Sequence, residues 1–131
     1  MSAADYRAWF AKAQNDLLSI ENNISAERVP WDVVTYHAQQ AAERYLKGFL
    51  VHRRSVPPKI HDLARLLDLC AHHDESLERL RSDCIELTDA GFRSRYPGIL
   101  DDPDQSDARD AVAMSHRICD AIRQRVPPPT S

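Results

Sequence analysis

The sequence has few residues of the kinds that mark loop-rich, disulfide-bonded or membrane-spanning proteins. Glycine occurs 3 times in 131 residues, and no glycine-rich stretch that would cradle a phosphate is present. The cysteines number 3 at irregular spacing, which predicts reduced thiols packed as small apolar groups rather than disulfides. No uninterrupted apolar run approaches a membrane span, and no basic-then-apolar leader opens the sequence. We therefore expect a cytoplasmic protein with no membrane segment.

Positive charge is not in excess either. The formal net charge is -3, so the chain as a whole offers no electrostatic attraction to nucleic acid. Any basic site must be local. The clearest local basic patch consists of Arg53, Arg54 and Lys59, in the stretch that contains two adjacent prolines.

The sequence does contain strong helical periodicity. Apolar residues recur at intervals of three or four along five segments, and no segment alternates as a strand does. We predict an all-α antiparallel bundle of four to five helices, in one domain over residues 1–126 followed by a flexible Pro-rich tail, 127–131. The predicted helices cover about 4–24, 31–52, 60–72, 75–91 and 105–125, with a loop of about fifteen residues from Gly91 onwards.

The second predicted helix contains the stretch YHAQQAAERYLKGFL, residues 36–50. At about 100° per residue, Tyr36, Gln40, Glu43 and Lys47 fall in one column opposite the apolar face. Spacing alone favours an ordinary solvated face, because Glu43 and Lys47 form an i,i+4 pair. The mixture of aromatic, amide, acid and base also suits contact with a ligand. A second, partly apolar side, formed by Gln39, Leu46 and Leu50, predicts contact with another subunit.

Several motifs occur in an order that resembles a known family. They are A-x-x-D-L at 13–17, HAQQAAERYLKGFLVHR at 37–53, KIHDLARLL at 59–67 and RYPG at 95–98. Together they resemble the HEPN domain over about residues 4–125, and in particular the branch with an RYP motif. The resemblance implies a helical bundle that commonly forms a homodimer and binds a nucleotide or RNA. It also implies a prokaryotic toxin–antitoxin pair with a minimal nucleotidyltransferase.

Some members of that family are metal-independent ribonucleases with an R-x(4–6)-H motif, whose residues would act on the RNA phosphate and 2′-hydroxyl. By spacing the motif occurs here about as often as chance predicts, as Arg54/His61, Arg65/His72 and Arg109/His116. The position that corresponds to the motif, GFRSRYPG, carries Arg93 and Arg95 but no histidine, and the next histidine is His116 in the last predicted helix. The chain thus departs from the ribonuclease pattern. The candidates for catalysis are Arg93, Arg95, Arg54 and His61, and the side chains of Arg54 and His61 would converge across the proline loop.

We predict a nucleotide or RNA site between the second helix and the RYPG loop. In it Lys47 supplies a point charge, Arg95 a bidentate phosphate contact and Tyr96 a stacking face. The predicted binding residues are Gln40, Glu43, Lys47, Arg95, Tyr96 and His61. Three alternatives stay open: a ribonuclease toxin, a non-catalytic dimeric interaction module, and purely structural roles for Arg95 and His61.

No metal site and no cofactor are predicted. Cys70 and His73 in the CAHHD stretch are suitably spaced for a metal, but two further ligands are missing. Four acidic residues in the loop before the last helix favour a solubilising role or a helix N-terminus. They are Asp101, Asp102, Asp104 and Asp107.

Overall fold

The computed structural model describes residues 5–98 and 102–127, and every regular element in these ranges is helical. The five α helices confirm the predicted all-α fold. A short 3-10 segment, Glu75–Leu80, precedes α4. The helices are α1 Tyr6–Ile24, α2 Trp31–His52, α3 Leu63–His73, α4 Arg81–Arg95 and α5 Gln105–Arg123.

Three predicted boundaries were wrong. The fourth α helix begins at Arg81 rather than at residue 75, since Glu75–Leu80 is the 3-10 segment. The third helix begins at Leu63 rather than at residue 60, because Asp62 caps it by accepting from Ala64 N and Arg65 N. The fourth helix does not stop at Gly91. It continues to Arg95, so the first part of the predicted fifteen-residue loop is helical and Arg93 and Arg95 lie on α4.

Helix α2 lies at the centre of the bundle and contacts each of the other four helices. Its apolar residues Leu46 and Leu50 are buried within this single chain. Cys70 of α3 donates its thiol to the Leu46 carbonyl at 3.5 Å. The second apolar side of α2 is therefore covered by the same chain, and the prediction that it contacts another subunit was wrong.

Each consecutive pair of helices runs antiparallel except α2 and α3. Helix α1 runs opposite to α2, since the Tyr6 ring at its start lies 4.9 Å from the His52 ring at the end of α2. Helix α5 runs alongside α2 in the same direction. Ser115 donates to the Ala38 carbonyl at 2.6 Å, and Arg123 donates to the Tyr45 hydroxyl at 3.0 Å.

Helix α3 is parallel to α2 because residues 53–62 return along α2 before α3 begins. The return starts with an αL turn at Arg54, where φ is 63°. Ser55 N donates to Leu50 O at 2.8 Å and Arg54 N to Val51 O at 2.9 Å, the hydrogen bonds of a Schellman motif. The segment ends with His61 beside Glu43. Arg54 and His61 are thus held at levels of α2 about 12 Å apart, and no contact between them occurs, contrary to the expected convergence.

One hydrophobic core extends through the bundle, and it includes Val126 after the end of α5. Residues 128–131 lie outside the described ranges, so the predicted Pro-rich tail stays a prediction. No helix in the described part of the chain is long and apolar enough to cross a membrane.

Candidate functional site

The polar column of α2 is buried from Gln40 to Lys47, and Tyr36 is half-buried, which corrects the expectation of a solvated face. Gln40, Glu43 and Lys47 are 7%, 4% and 6% exposed, and Gln39 beside them is 1% exposed. Together with His61 these four residues form what we call the α2 polar cluster. The structure therefore brings together four of the six predicted binding residues: Gln40, Glu43, Lys47 and His61.

Glu43 is the centre of the α2 polar cluster. Its carboxylate accepts from Lys47 Nζ at 3.1 Å and from Gln39 Nε2 at 3.1 Å. The ring Nδ1 of His61 lies 3.0 Å from Glu43 Oε1, and because a carboxylate only accepts, Nδ1 carries the proton in this contact. Three donors from α2 and the return segment thus compensate one buried negative charge.

Lys47 keeps donors that the cluster does not use. Its ammonium makes one hydrogen bond, to Glu43, and lies 5.8 Å from the centre of the Trp9 ring on α1. The indole Nε1 of Trp9 is also buried and has no acceptor among the described residues. The α1 side of the cluster is therefore rich in N–H groups.

His61 connects this buried cluster to the surface. Its side chain is 65% exposed although Nδ1 is fixed on Glu43. Gln39 Nε2 also donates to the His61 carbonyl at 3.1 Å, which fixes the backbone. Holding Nδ1 by a carboxylate leaves Nε2 as the ring nitrogen available for hydrogen bonding or proton transfer.

Asp16, which is not among the predicted site residues, forms a second buried polar group. Its carboxylate accepts from Arg44 Nη1 at 2.7 Å and contacts His37 Nδ1 at 2.9 Å. These contacts fasten α1 to α2. The signal was present in the A-x-x-D-L motif, where an aspartate falls on an apolar helical stripe.

The end of α4 carries an exposed aromatic pair between two arginines. The Phe92 and Tyr96 rings have centroids 4.4 Å apart at 31°, and their residues are 43% and 45% exposed. At about 100° per residue the two rings share one face of α4, while Arg93 and Arg95 project on either side of it. Neither guanidinium forms an ion pair with a described residue. We call these four residues the α4 platform.

Phe92 was missing from the predicted site. The signal that would have identified it is the i,i+4 spacing of Phe92 and Tyr96, which places two rings together only if the helix continues past Gly91. The glycine at position 91 predicts the start of a loop, and in a loop the same spacing does not bring two rings together.

The structure does not bring Arg95 to Lys47, as the predicted site required. Gly91 packs on Gln39, where an added Cβ would lie 2.7 Å from Gln39 Cγ. Helix α4 runs antiparallel to α2, so Arg95 continues about 6 Å beyond Gln39 while Lys47 lies about 12 Å in the other direction. The backbone positions of the two residues are thus about 18 Å apart along the axis of α2, and the Lys47 ammonium is bonded to Glu43 instead.

The return segment ends beside α4, near the α4 platform. Its last residue, Asp62, lines a cleft of about 360 Å³ together with Ala64 of α3 and Thr88 and Phe92 of α4. Thr88 Oγ1 accepts from Leu63 N at 3.0 Å and ties the start of α3 to α4. Asp62, which follows the exposed histidine, and the Phe92 ring of the platform therefore border the same α3–α4 junction.

The remaining candidates show no chemistry of their own. Burial raises the pKa of Cys70, Cys84 and Cys119 to about 12, which makes them unreactive packing groups. No three His, Cys, Asp or Glu side chains of the described ranges are grouped to hold a metal. Asp104 and Asp107 form a capping box at the start of α5, as an acidic helix N-terminus should. Asp101 lies outside the described residues.

Comparison with known proteins gives one match. The family model described as HEPN domain matches residues 6–125, nearly the whole chain. Searches of the curated proteins and of the solved structures found no match.

Proposed function

The chain belongs to the HEPN domain family, and from this premise we propose that it binds single-stranded RNA or a nucleotide at the α4 platform. The family assignment itself indicates a nucleotide- or RNA-related function. The choice of the platform rests on the exposed Phe92–Tyr96 stack with an arginine on each side.

The chemistry of the platform matches what single strands present. Bases stack on exposed aromatic faces, and such stacking contributes about 1–3 kcal/mol per base. Arg93 and Arg95 supply planar guanidinium groups that pair with phosphate oxygens. The alternative explanation is that both arginines only complement the C-terminal dipole of α4, which would leave the exposed rings without a role.

In this proposal the α2 polar cluster supports the site from the interior of the bundle. Glu43 and Lys47 are too buried to receive a ligand in this arrangement, and Glu43 already accepts three hydrogen bonds. We assign the cluster to holding His61 and the return segment in place. In this proposal Gln40, Glu43 and Lys47 position the site, while His61, Arg95 and Tyr96 stay candidates for direct contact with the ligand.

A binding titration tests the proposal. A labelled oligoribonucleotide of about eight residues is titrated against wild type, Arg93→Gln, Arg95→Gln and Tyr96→Ala at two salt concentrations. Tyr96→Ala should weaken binding about tenfold, and each arginine variant should lower the log–log salt slope by about one. Arg79→Gln is the matched control, since Arg79 is exposed at the far end of the bundle. Equal affinity in all variants would contradict the platform.

One observation favours a second candidate function, metal-independent cleavage of RNA. His61 is fixed by a carboxylate through Nδ1 and exposes the rest of its ring, which is the arrangement of a general acid or base. Arg95 or Arg93 would then stabilise charge on the phosphate. Without a histidine four to six residues beyond Arg93 or Arg95, we still expect little cleavage.

The same samples separate the two functions if they are incubated without metal and the RNA is examined for cleavage. Cleavage that is lost in His61→Ala and Glu43→Gln but kept in His72→Ala and His116→Ala would establish the second candidate. An uncut oligonucleotide that still binds would leave the protein a binding module.

We also propose that the chain is a homodimer and the partner of a minimal nucleotidyltransferase, as the family relationship suggests. Light scattering should give about twice the chain mass of 14.9 kDa. A strict monomer at all concentrations would contradict the dimer. Failure of the two proteins to co-purify after co-expression would contradict the pair.

A further inference from the structure

A groove of about 530 Å³ runs between α4 and α5, and acids line both of its rims. Glu86 and Asp89 stand on the α4 rim, and Asp107 and Asp110 stand on the α5 rim. Residues three apart lie on the same face of a helix, so each pair points along one rim. We call this surface the α4–α5 groove.

The charges of the α4–α5 groove are not neutralised within the described part of the chain. None of its four acids forms an ion pair there. Asp107 accepts from Asp104 N in the capping box of α5, whereas Glu86, Asp89 and Asp110 are exposed. Arg117 of α5 is bonded to Asp83 instead, through both Nε and Nη2. The groove thus carries acids whose counter-charges have to come from outside.

The floor of the α4–α5 groove is apolar. Ala111 of α5 is 1% exposed, and Ala90 of α4 and Met114 of α5 are half-buried. Ile85 at one end of the groove is 54% exposed, which is unusual for a large apolar side chain. Because two alanines form the centre of the floor, side chains of another molecule can enter between the helices.

The composition of the α4–α5 groove selects among possible occupants. Arg93 is the one cation among its lining residues, so the excess of acids repels the phosphates of RNA. No three His, Cys, Asp or Glu side chains of the described ranges are grouped to hold a metal ion. An occupant that uses both the apolar floor and the acidic rims must have an apolar stripe with cations on either side.

The dimensions of the α4–α5 groove favour a helix as that occupant. From Glu86 to Arg93 the groove extends about 10 Å along α4, which is about two helical turns. A helix with apolar residues at intervals of three or four presents one stripe, and Lys or Arg beside the stripe would face both rims. Helices that lie in a groove of another protein are recognised in this way.

We propose that the α4–α5 groove binds a basic amphipathic helix of a partner protein. Apolar side chains of that helix would contact Ala90, Ala111 and Met114. Its cations would pair with Glu86 and Asp89 on one rim and with Asp110 on the other. The groove would hold this helix whether or not the α4 platform binds RNA.

A fluorescence anisotropy titration of the full chain against a labelled peptide tests the proposal. The probe is a synthetic peptide of about fourteen residues, in which Leu recurs every third or fourth position among Lys and Ala. One control peptide has Gln for every Lys, and another has the same composition in scrambled order. The Lys peptide should bind saturably with one-to-one stoichiometry. Each control should bind at least about tenfold more weakly, because it lacks either the charges or the apolar stripe.

Variants of the two rims locate the binding. Asp110→Lys should weaken binding of the Lys peptide at least about tenfold, and Glu86→Gln should weaken it about threefold. Glu21→Lys and Glu21→Gln are the matched controls, since Glu21 is exposed on α1 and α1 contacts neither α4 nor α5 within the described ranges. Each control should change the affinity by less than about twofold. Because Asp110 and Glu86 are exposed and make no ion pair, their variants should fold.

Four results would each overturn the proposal. Three concern the peptides: no saturable binding of the Lys peptide, equal affinity for the scrambled peptide, or unchanged affinity in Asp110→Lys. The fourth is that light scattering shows a dimer in wild type and a monomer in Asp110→Lys. A second copy of the chain would then cover the α4–α5 groove in place of a partner helix.

Discussion

At the scale of single residues, the main feature of this protein is a buried acid whose carboxylate is hydrogen-bonded by three neighbouring side chains. Glu43 accepts from one cation, one amide and one histidine, all at 3.0–3.1 Å. Removing two charges from water costs several kcal/mol per ion, and close pairing with further hydrogen bonds repays that cost. The stability of the protein should thus fall strongly when either Glu43 or Lys47 is lost alone, and much less when both are lost.

Glu43→Gln should lower the free energy of unfolding by about 3 kcal/mol, because it leaves the buried Lys47 ammonium without its counter-charge. The double variant Glu43→Gln/Lys47→Met should recover most of that loss, since neither charge then remains buried. Urea denaturation measures all three proteins. A loss below about 0.5 kcal/mol in Glu43→Gln would be the behaviour of solvated surface residues and would contradict the burial seen here.

The sequence led to the opposite expectation for a physical reason. A helical wheel shows which residues share a face of α2, and it grouped Gln40, Glu43 and Lys47 correctly. It does not show what covers that face. The cover comes from Trp9 of α1 and from His61 at the end of the return segment, and neither belongs to α2.

At the scale of secondary-structure elements, α4 decides where the candidate site is. Gly91 lies in the middle of this helix, where glycine costs about 1 kcal/mol relative to alanine in propensity. It is required because α4 approaches α2 closely. An added Cβ would meet the Gln39 side chain at 2.7 Å from Cγ and 2.9 Å from Cβ, close to the α2 backbone.

Gly91→Ala should therefore destabilise the protein by about 1–3 kcal/mol despite the better helix propensity of alanine, because the clash falls on atoms that cannot swing away. Thermal and urea unfolding measure the change. Ser82→Ala on the exposed side of the same helix should change stability by no more than about 0.5 kcal/mol. A gain in stability from Gly91→Ala would mean that α4 and α2 are further apart than described.

The return segment is the other element that sequence patterns could not place. The two prolines at 57 and 58 showed that α2 had to end before them, which is correct. The prolines do not predict in which direction the chain runs after α2. The direction is set by the αL turn at Arg54, a residue type that rarely adopts positive φ, and by His61 docking on Glu43.

At the scale of the whole molecule, helical periodicity and the prolines that interrupt it predicted the all-α class and the number of helices. They also predicted the start and end of α2. The relative directions of the helices did not, because they depend on where the connections turn. Those directions separate Lys47 from Arg95 and place Arg95 with Phe92 and Tyr96. The bundle thus presents two distinct surfaces, the α4 platform at the end of α4 and the acidic α4–α5 groove beside it.

The most direct test of the central claim is to map the RNA-binding surface by NMR. Amide chemical shifts of the ¹⁵N-labelled protein are followed while an unlabelled oligoribonucleotide of about eight residues is added. The account predicts saturable changes centred on residues 92–98 and on His61, with residues 6–14 of α1 unaffected. Changes centred on Trp9 and Lys47 instead, or no saturable change at any residue, would contradict it.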